Sequence, residues 1–347
     1  MKIQIHKDFK LNGKSFSDSL ILLGFVKNTF PNHFYFLQEL FNTSDFIKAF
    51  TSGSTGDPKP IQIEKTKMLY SAKATSLFFD LPAKTTALHC LSSDFIAGKM
   101  MWVRALSLGW DMDVVPVDAN PLAHTKSNYD FAAMLPLQVR NSLEELPRIE
   151  QLIIGGAPIS FGLEQELKKL SAAIYQTYGM TETITHIAVK QLVSKDKTIH
   201  FSNLYKALPG VSLGVDHRDC LLIDAPDVSD YKVVTNDVVR LINTNKFEWL
   251  GRFDNVINSG GVKLFPEKIE QKLKPFIAKE FIITSIPDDK FGEKLVLVVA
   301  SENPIKGIEN CFVAAKLAKF EIPKNVFYIQ EFKKTSNGKI KRNKVFL

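Results

Sequence analysis

From about residue 60 to residue 180, apolar runs alternate with amphipathic stretches. Residues 64–79 place Met68, Leu69, Ala72 and Phe79 at roughly helical spacing, which predicts a helix with one buried face. Residues 86–91 are a short apolar run of the kind that forms a buried strand, 99–108 predict a helix, and 112–117 a strand. Residues 151–154 predict another strand, stopped by Gly155 and Gly156. Residues 161–170 are amphipathic, and 172–177 lead as a strand into Tyr178 and Gly179. This strand–helix alternation predicts an α/β architecture whose strands are covered on both sides.

After residue 205 the pattern changes to short extended runs broken by Gly, Pro, Asn and Asp. Residues 221–224, 232–235 and 238–243 read as strands of a smaller β subdomain. A boundary is expected near residues 251–255, giving an N-terminal domain over 1–253 and a C-terminal one over 254–347. In the second, 266–277 read as a helix whose proline suits the first turn. Residues 281–286 and 295–300 read as strands, so this module is α+β.

Length and composition narrow the class. With 347 residues, 45% hydrophobic and 23% charged, the chain can bury a substantial core as a soluble globular protein. The start, MKIQIHKDFKLNG, lacks the apolar core of a secretory signal, and nowhere do 18 apolar residues run together. A cytoplasmic protein with no membrane span is the expectation. Cys90, Cys220 and Cys311 are scattered and form no CxxC pair, so they read as reduced thiols. The net charge of +7 would suit a nucleic-acid surface or the capture of small polyanions; a solvated lysine-rich face explains it as well.

The run TSGSTGDPK at 51–59 carries the most chemistry. Gly53 and Gly56, surrounded by hydroxyls and closed by Lys59, suit a loop that wraps an anion. Glycine permits the backbone angles that turn several N–H groups one way. Thr51, Ser52, Ser54 and Thr55 can add donors, and Lys59 a countercharge. The spacing is not that of a Walker A loop, which argues against an ordinary P-loop ATPase or kinase.

This run resembles the phosphate-binding signature of the adenylate-forming superfamily: acyl-CoA synthetases, peptide-synthetase adenylation domains and luciferases. Further motifs follow in that superfamily's order. YGMTE at 178–182 resembles its YGxTE motif, and TND at 235–237 its TGD motif, with Asn236 in place of glycine. WLGRFD at 249–254, through Gly260 and Gly261, resembles its hinge segment, and KTSNGK at 334–339 its catalytic-lysine motif. The likeness spans residue 51 to about 342 and leaves the first 50 residues without a counterpart.

The resemblance implies roles for individual residues. Thr181 would contact the α-phosphate, Glu182 would hold Mg²⁺, and Tyr178, after which Gly179 follows, would lie against adenine. A carboxylate plus phosphate oxygens is how Mg²⁺ is usually held. Asp237 would accept the ribose hydroxyls with help from Arg252, although an Asp between two strands is, by itself, a turn residue. Gly155, Gly156 and Ala157 resemble the segment that lines the adenine and acyl pocket. Asp254 resembles the hinge about which the C-terminal module moves, and it would equally serve to cap 255–257. Lys339 would stabilise charge developing at the α-phosphate.

The implied reaction joins a carboxylic acid to coenzyme A through an acyl-adenylate, with ATP consumed. The reduced N-terminus and the segment from Leu91 to Ala105 resemble the short bacterial o-succinylbenzoate–CoA ligases of menaquinone synthesis. Phe95 then falls where most relatives carry an aromatic residue or histidine. Lys99 and Arg104 are candidates to hold the acid's second carboxylate, Arg104 serving equally well as a cap of its own helix; Lys263 could meet a carboxylate or the coenzyme. A ligase or carrier-loading enzyme for another aromatic or small acid is the alternative. A non-catalytic nucleotide-binding relative, or a nucleic-acid binder, is the third reading.

Overall fold

The computed structural model describes residues 3–50, 60–196, 203–334 and 340–342. It divides into two compact units. The first comprises 1–214, 222–233 and 241–247, and the second 215–221, 234–240 and 248–347.

The first unit is built on a parallel sheet. Its strands run Asp111–Val114, Thr86–His89, Tyr129–Met134, Ile149–Ile154 and Ala173–Gly179 from one side to the other. Beyond Ala173–Gly179 the strand His186–Val193 pairs antiparallel, followed by Leu204–Ala207. Inward-facing residues such as Leu88, Phe131, Leu152 and Ile174 are buried, joining the core with Trp102 and Trp110. This is the composition of a sheet packed on both faces, as the alternating pattern predicts.

The helix Lys65–Phe79 buries Met68, Ala72, Thr75 and Phe79 and ends at Asp80 in the left-handed conformation. The helix Ile96–Leu108 is buried along most of its length and closes on Gly109, also left-handed. Two N-terminal helices, Ser19–Thr29 and Pro31–Phe41, were not legible in the pattern. The first is capped by Asp18, whose carboxylate accepts from the N–H groups of Leu20 and Ile21. Leu20 and Ile21 are exposed, which blurs the period that would have marked it.

In the second unit, the strands Ile257–Ser259 and Val262–Leu264 form a hairpin across Gly260 and Gly261. Both glycines have positive φ (59° and 79°), the requirement of a type I′ turn, which accounts for the glycine pair. The helix Pro266–Leu273 is shorter than the predicted 266–277. The strand Phe281–Asp288 pairs antiparallel along its whole length with residues 292–299 of Gly292–Ala300, and Asn325–Ile329 joins parallel to the latter. Ile269, Leu273, Ile283, Leu297 and Val299 form this unit's core.

One element departs from expectation. The sequence predicts two strands, 232–235 and 238–243, with Asp237 between them; the structure has a single strand, Val233–Asn243. Asp237 is therefore a strand residue, 8% exposed, and not part of a turn. Of the described helices, none is long and apolar enough to cross a membrane.

Candidate active site

Three of the predicted residues of the first unit follow the carboxyl ends of its parallel strands, where open α/β sheets bind ligands. Phe95 follows Thr86–His89, Gly155 follows Ile149–Ile154, and Glu182 follows Ala173–Gly179. At Gly155 an added Cβ would lie 2.5 Å from Thr177 Oγ1, and Gly156 has φ +80°. These two glycines let the backbone turn close beside the next strand, with Ala157 exposed after them. Gly179 is the tightest of the set. A Cβ there would sit 2.3 Å from the backbone oxygen of Thr185, so the motif's glycine permits the crossing of two backbone segments.

Residues Thr181–Thr183 form one short 3₁₀ turn. The Thr183 hydroxyl has one proton, shared between the carbonyls of Met180 (3.0 Å) and Thr185 (2.9 Å), and it accepts from the Met180 N–H (3.2 Å). Ile184 then takes a positive φ of 65°, a strained position held by the surrounding bonds. The turn presents Glu182 exposed, with no ion pair among the described residues. Tyr178 stands with its ring against Phe247 (5.2 Å) and Tyr205 (5.6 Å), an aromatic cluster that fixes the ring's plane.

Arg104 is 2% exposed. Its Nη1 lies 3.8 Å from Met101 Sδ, while Nε and Nη2 have no hydrogen-bond partner among the described residues. Burial pulls the guanidinium from 12.5 down to about 10. It does not cap its helix, whose end is closed by the Gly109 N–H donating to Ala105. Nearby His186 is pushed down to about 3, by burial first and then by the charge of Arg104. Its Nε2 lies 3.5 Å from Thr75 Oγ1. Lys99 is also buried, its Nζ 4.6 Å over the Phe36 ring; burial lowers its pKa against the pull of Glu39 and Asp94. Phe95 is 69% exposed.

The second unit holds Asp237, Arg252, Asp254 and Lys263. Trp249 Nε1 donates to Asp237 Oδ1 at 3.0 Å, and Arg252 stands 3.8 Å from the same oxygen. Arg252 also reaches Asp254 at 3.3 Å, so this guanidinium links the strand residue to the segment after it. Asp254 lies inside the 3₁₀ turn Phe253–Asn255 and does not cap 255–257. Lys263 is exposed, 3.8 Å from Asp219. Thr51, Ser52, Gly53, Ser54, Thr55, Gly56, Lys59 and Lys339 lie outside the described residues. The run 51–59 is bracketed by a paired antiparallel couple, Phe50 and Pro60. Trp249 and Arg218 were not assigned roles from the sequence. For Trp249 the signal was its place in the hinge motif; for Arg218 there was none.

Residues 47–215 match the AMP-binding enzyme family. An acyl-CoA synthetase (AMP-forming)/AMP-acid ligase II-like protein of known structure from Dyadobacter fermentans is 36% identical. Its TM-score is 0.62, covering 91% of this chain and 93% of that one. This chain belongs to the AMP-binding enzyme family. A 2-succinylbenzoate–CoA ligase of Listeria monocytogenes is 25% identical, covering 88% of this chain and 72% of its own. The o-succinylbenzoate coenzyme A synthetase of Bacillus subtilis, solved with ATP and magnesium, has a TM-score of 0.73 at 18% identity. The coverage is 97% of this chain and 83% of that one, and at this identity the likeness bears on fold alone. As a family member the chain is an AMP-forming ligase of the acid–CoA class, with the mixed α/β fold the sequence predicts.

Proposed function

We propose that this protein activates o-succinylbenzoate with ATP and transfers the acyl group to coenzyme A, a step of menaquinone synthesis. A substrate carboxylate oxygen attacks the α-phosphorus of ATP, forming a P–O bond as the bond to pyrophosphate breaks. The coenzyme A thiolate then attacks the acyl carbonyl, and AMP leaves. Such chemistry asks the protein for positioning and charge stabilisation, with no protein nucleophile.

The residues take the following parts. Thr51, Ser52, Gly53, Ser54, Thr55, Gly56 and Lys59 wrap the phosphates. Asp237 and Arg252 take the ribose, Tyr178 and the 155–157 segment the adenine, and Thr181 the α-phosphate. The exposed Glu182, without an ion pair among the described residues, suits Mg²⁺, which when bound neutralises phosphate charge. Lys339 enters from the C-terminal module, residues 254–347, which moves about Asp254 between the two half-reactions.

The observation that carries the choice of acid is Arg104. A buried guanidinium with two nitrogen donors unpaired among the described residues calls for an anion, because an uncompensated charge in the interior is costly. o-Succinylbenzoate brings two carboxylates, one activated and one left to pair with Arg104. The 25% identity to a 2-succinylbenzoate–CoA ligase agrees with this reading.

The test is acid-dependent pyrophosphate release with Mg·ATP and coenzyme A across a panel of acids. Activity confined to o-succinylbenzoate is expected. Turnover of another acid in its place would keep the mechanism and overturn the substrate.

A further inference from the structure

Arg218 lies on the turn between the strands Ser212–Val215 and Cys220–Asp224, outside every motif of the family likeness. Its Nε donates to Asp216 Oδ2 at 2.8 Å, and Nη2 stands 2.7 Å from the same carboxylate. The backbone N–H groups of Arg218 and Cys220 both donate to Asp216 Oδ1, so this pair is locked into the turn. From there the guanidinium reaches outward. Nη1 donates to Asn236 Oδ1 at 3.0 Å, and Nη2 to the Thr235 carbonyl at 3.2 Å. The guanidinium carbon sits 5.1 Å over the ring of Phe253.

Three segments therefore meet on one side chain. They are the 216–219 turn, the TND stretch that carries Asp237, and Phe253, which stands between Arg252 and Asp254. Asn236 is the position at which this chain departs from the family's glycine. Glycine would offer no side-chain acceptor there; asparagine offers the oxygen that Arg218 binds. Asn and Asp are poor strand residues, yet the strand runs unbroken through them. Arg218 on one side and Trp249 on the other hold it in register.

We propose that Arg218, through its bond to Asn236 and its stack on Phe253, is a positioning residue for the nucleotide ribose. It acts by fixing the backbone that presents Asp237 and Arg252. The inference rests on the ribose assignment of Asp237 made above.

The experiment is titration calorimetry of the full chain with AMP and with 2′,3′-dideoxy-AMP, which lacks the hydroxyls Asp237 would accept. Arg218→Ala is expected to weaken AMP about tenfold, the worth of one charge-assisted hydrogen bond. It should leave the dideoxy analogue within about twofold. Equal weakening of both ligands would show a merely structural role and overturn the proposal, as would an unchanged AMP affinity. Asn236→Gly keeps Arg218 and removes the acceptor. It should weaken AMP in the wild-type background and add nothing in the Arg218→Ala background; full additivity would overturn the coupling. If Arg218→Ala fails to fold, Asn236→Gly and Asn236→Leu carry the test, by the same contrast between the two ligands. Asp237→Ala separates the two layers. Loss of AMP there with none in Arg218→Ala sinks the positioning role alone, whereas no loss in Asp237→Ala sinks the ribose assignment and the proposal together.

Discussion

Replacing Arg104 with methionine sets stability against function, with opposite signs expected for the two. The guanidinium is 2% exposed, and burial has moved it from 12.5 to about 10. At about 1.4 kcal/mol for each pH unit, keeping it charged in the unliganded fold costs about 3 kcal/mol. Methionine is apolar, unbranched and adaptable in a core, so Arg104→Met removes that cost with little cavity. Buried charges replaced by apolar residues of similar size are often stabilising by about 1–4 kcal/mol. Thermal unfolding of the unliganded protein should move up by about 2–4 °C for each kcal/mol recovered. Against o-succinylbenzoate the same change removes the group proposed to pair with the spectator carboxylate. Truncating one side of a buried charge pair costs about 2–5 kcal/mol, so kcat/KM should fall by about 30-fold or more. A monocarboxylate analogue lacking the second group should be turned over equally by both proteins. Two results would refute the reasoning. A lower unfolding midpoint would mean the guanidinium already has a compensating partner, and an unchanged kcat/KM for the diacid would mean the anion it awaits is not this substrate.

Three further outcomes follow. His33, His89 and His186 are buried and held neutral: burial pushes His33 to about 4, His186 to about 3, and His89 well below its ordinary value. Between those values and about pH 6.5 the unfolded chain binds more protons than the folded one, so stability is full above pH 6.5 and falls with acidification. At pH 5 His33 and His186 each forfeit about 2 kcal/mol, with His89 acting in the same direction, which urea unfolding across pH 7 to 4 would read; a flat profile contradicts it. Gly179→Ala puts a methyl 2.3 Å from the Thr185 oxygen, against backbone that cannot yield cheaply. A loss of about 2 kcal/mol or more is expected by denaturant titration, together with impaired adenylation. Lys339→Ala should abolish acyl-adenylate formation while sparing thioester formation from supplied acyl-adenylate; intact adenylation would remove the lysine from the mechanism.

How far the chain could be read depended on whether neighbours far along the sequence shape the local structure. The helix Lys65–Phe79 and the strand Ile149–Ile154 were legible because burial on one side and Gly155 at the end are local facts. The same holds for the glycine pair at 260 and 261, where a two-residue hairpin demands positive φ. The strand through Asn236 and Asp237 was not legible, since it depends on Arg218 and Trp249, 18 and 12 residues away. The N-terminal helices escaped because Leu20, Ile21 and Tyr35 turn apolar side chains outward. At the site, motif spacing pointed to Glu182, Asp237 and Arg252. Arg104 was a weak candidate by sequence, because composition does not say that its guanidinium is buried with two nitrogens unpaired among the described residues. Trp249 lay in plain view within a motif, but its bond to Asp237 is a matter of strand register, which residue types alone leave open.

Omitting coenzyme A isolates the proposed adenylation half-reaction. The protein is incubated with ATP, magnesium and o-succinylbenzoate, and the quenched mixture is read by mass spectrometry for the mixed anhydride and for the nucleotide released. o-Succinylbenzoyl-adenylate is expected in amounts near the enzyme concentration, with pyrophosphate and no ADP, discharged to thioester and AMP when coenzyme A is added. Formation of ADP, or no adenylate with this acid at saturating concentrations, would contradict the proposed function.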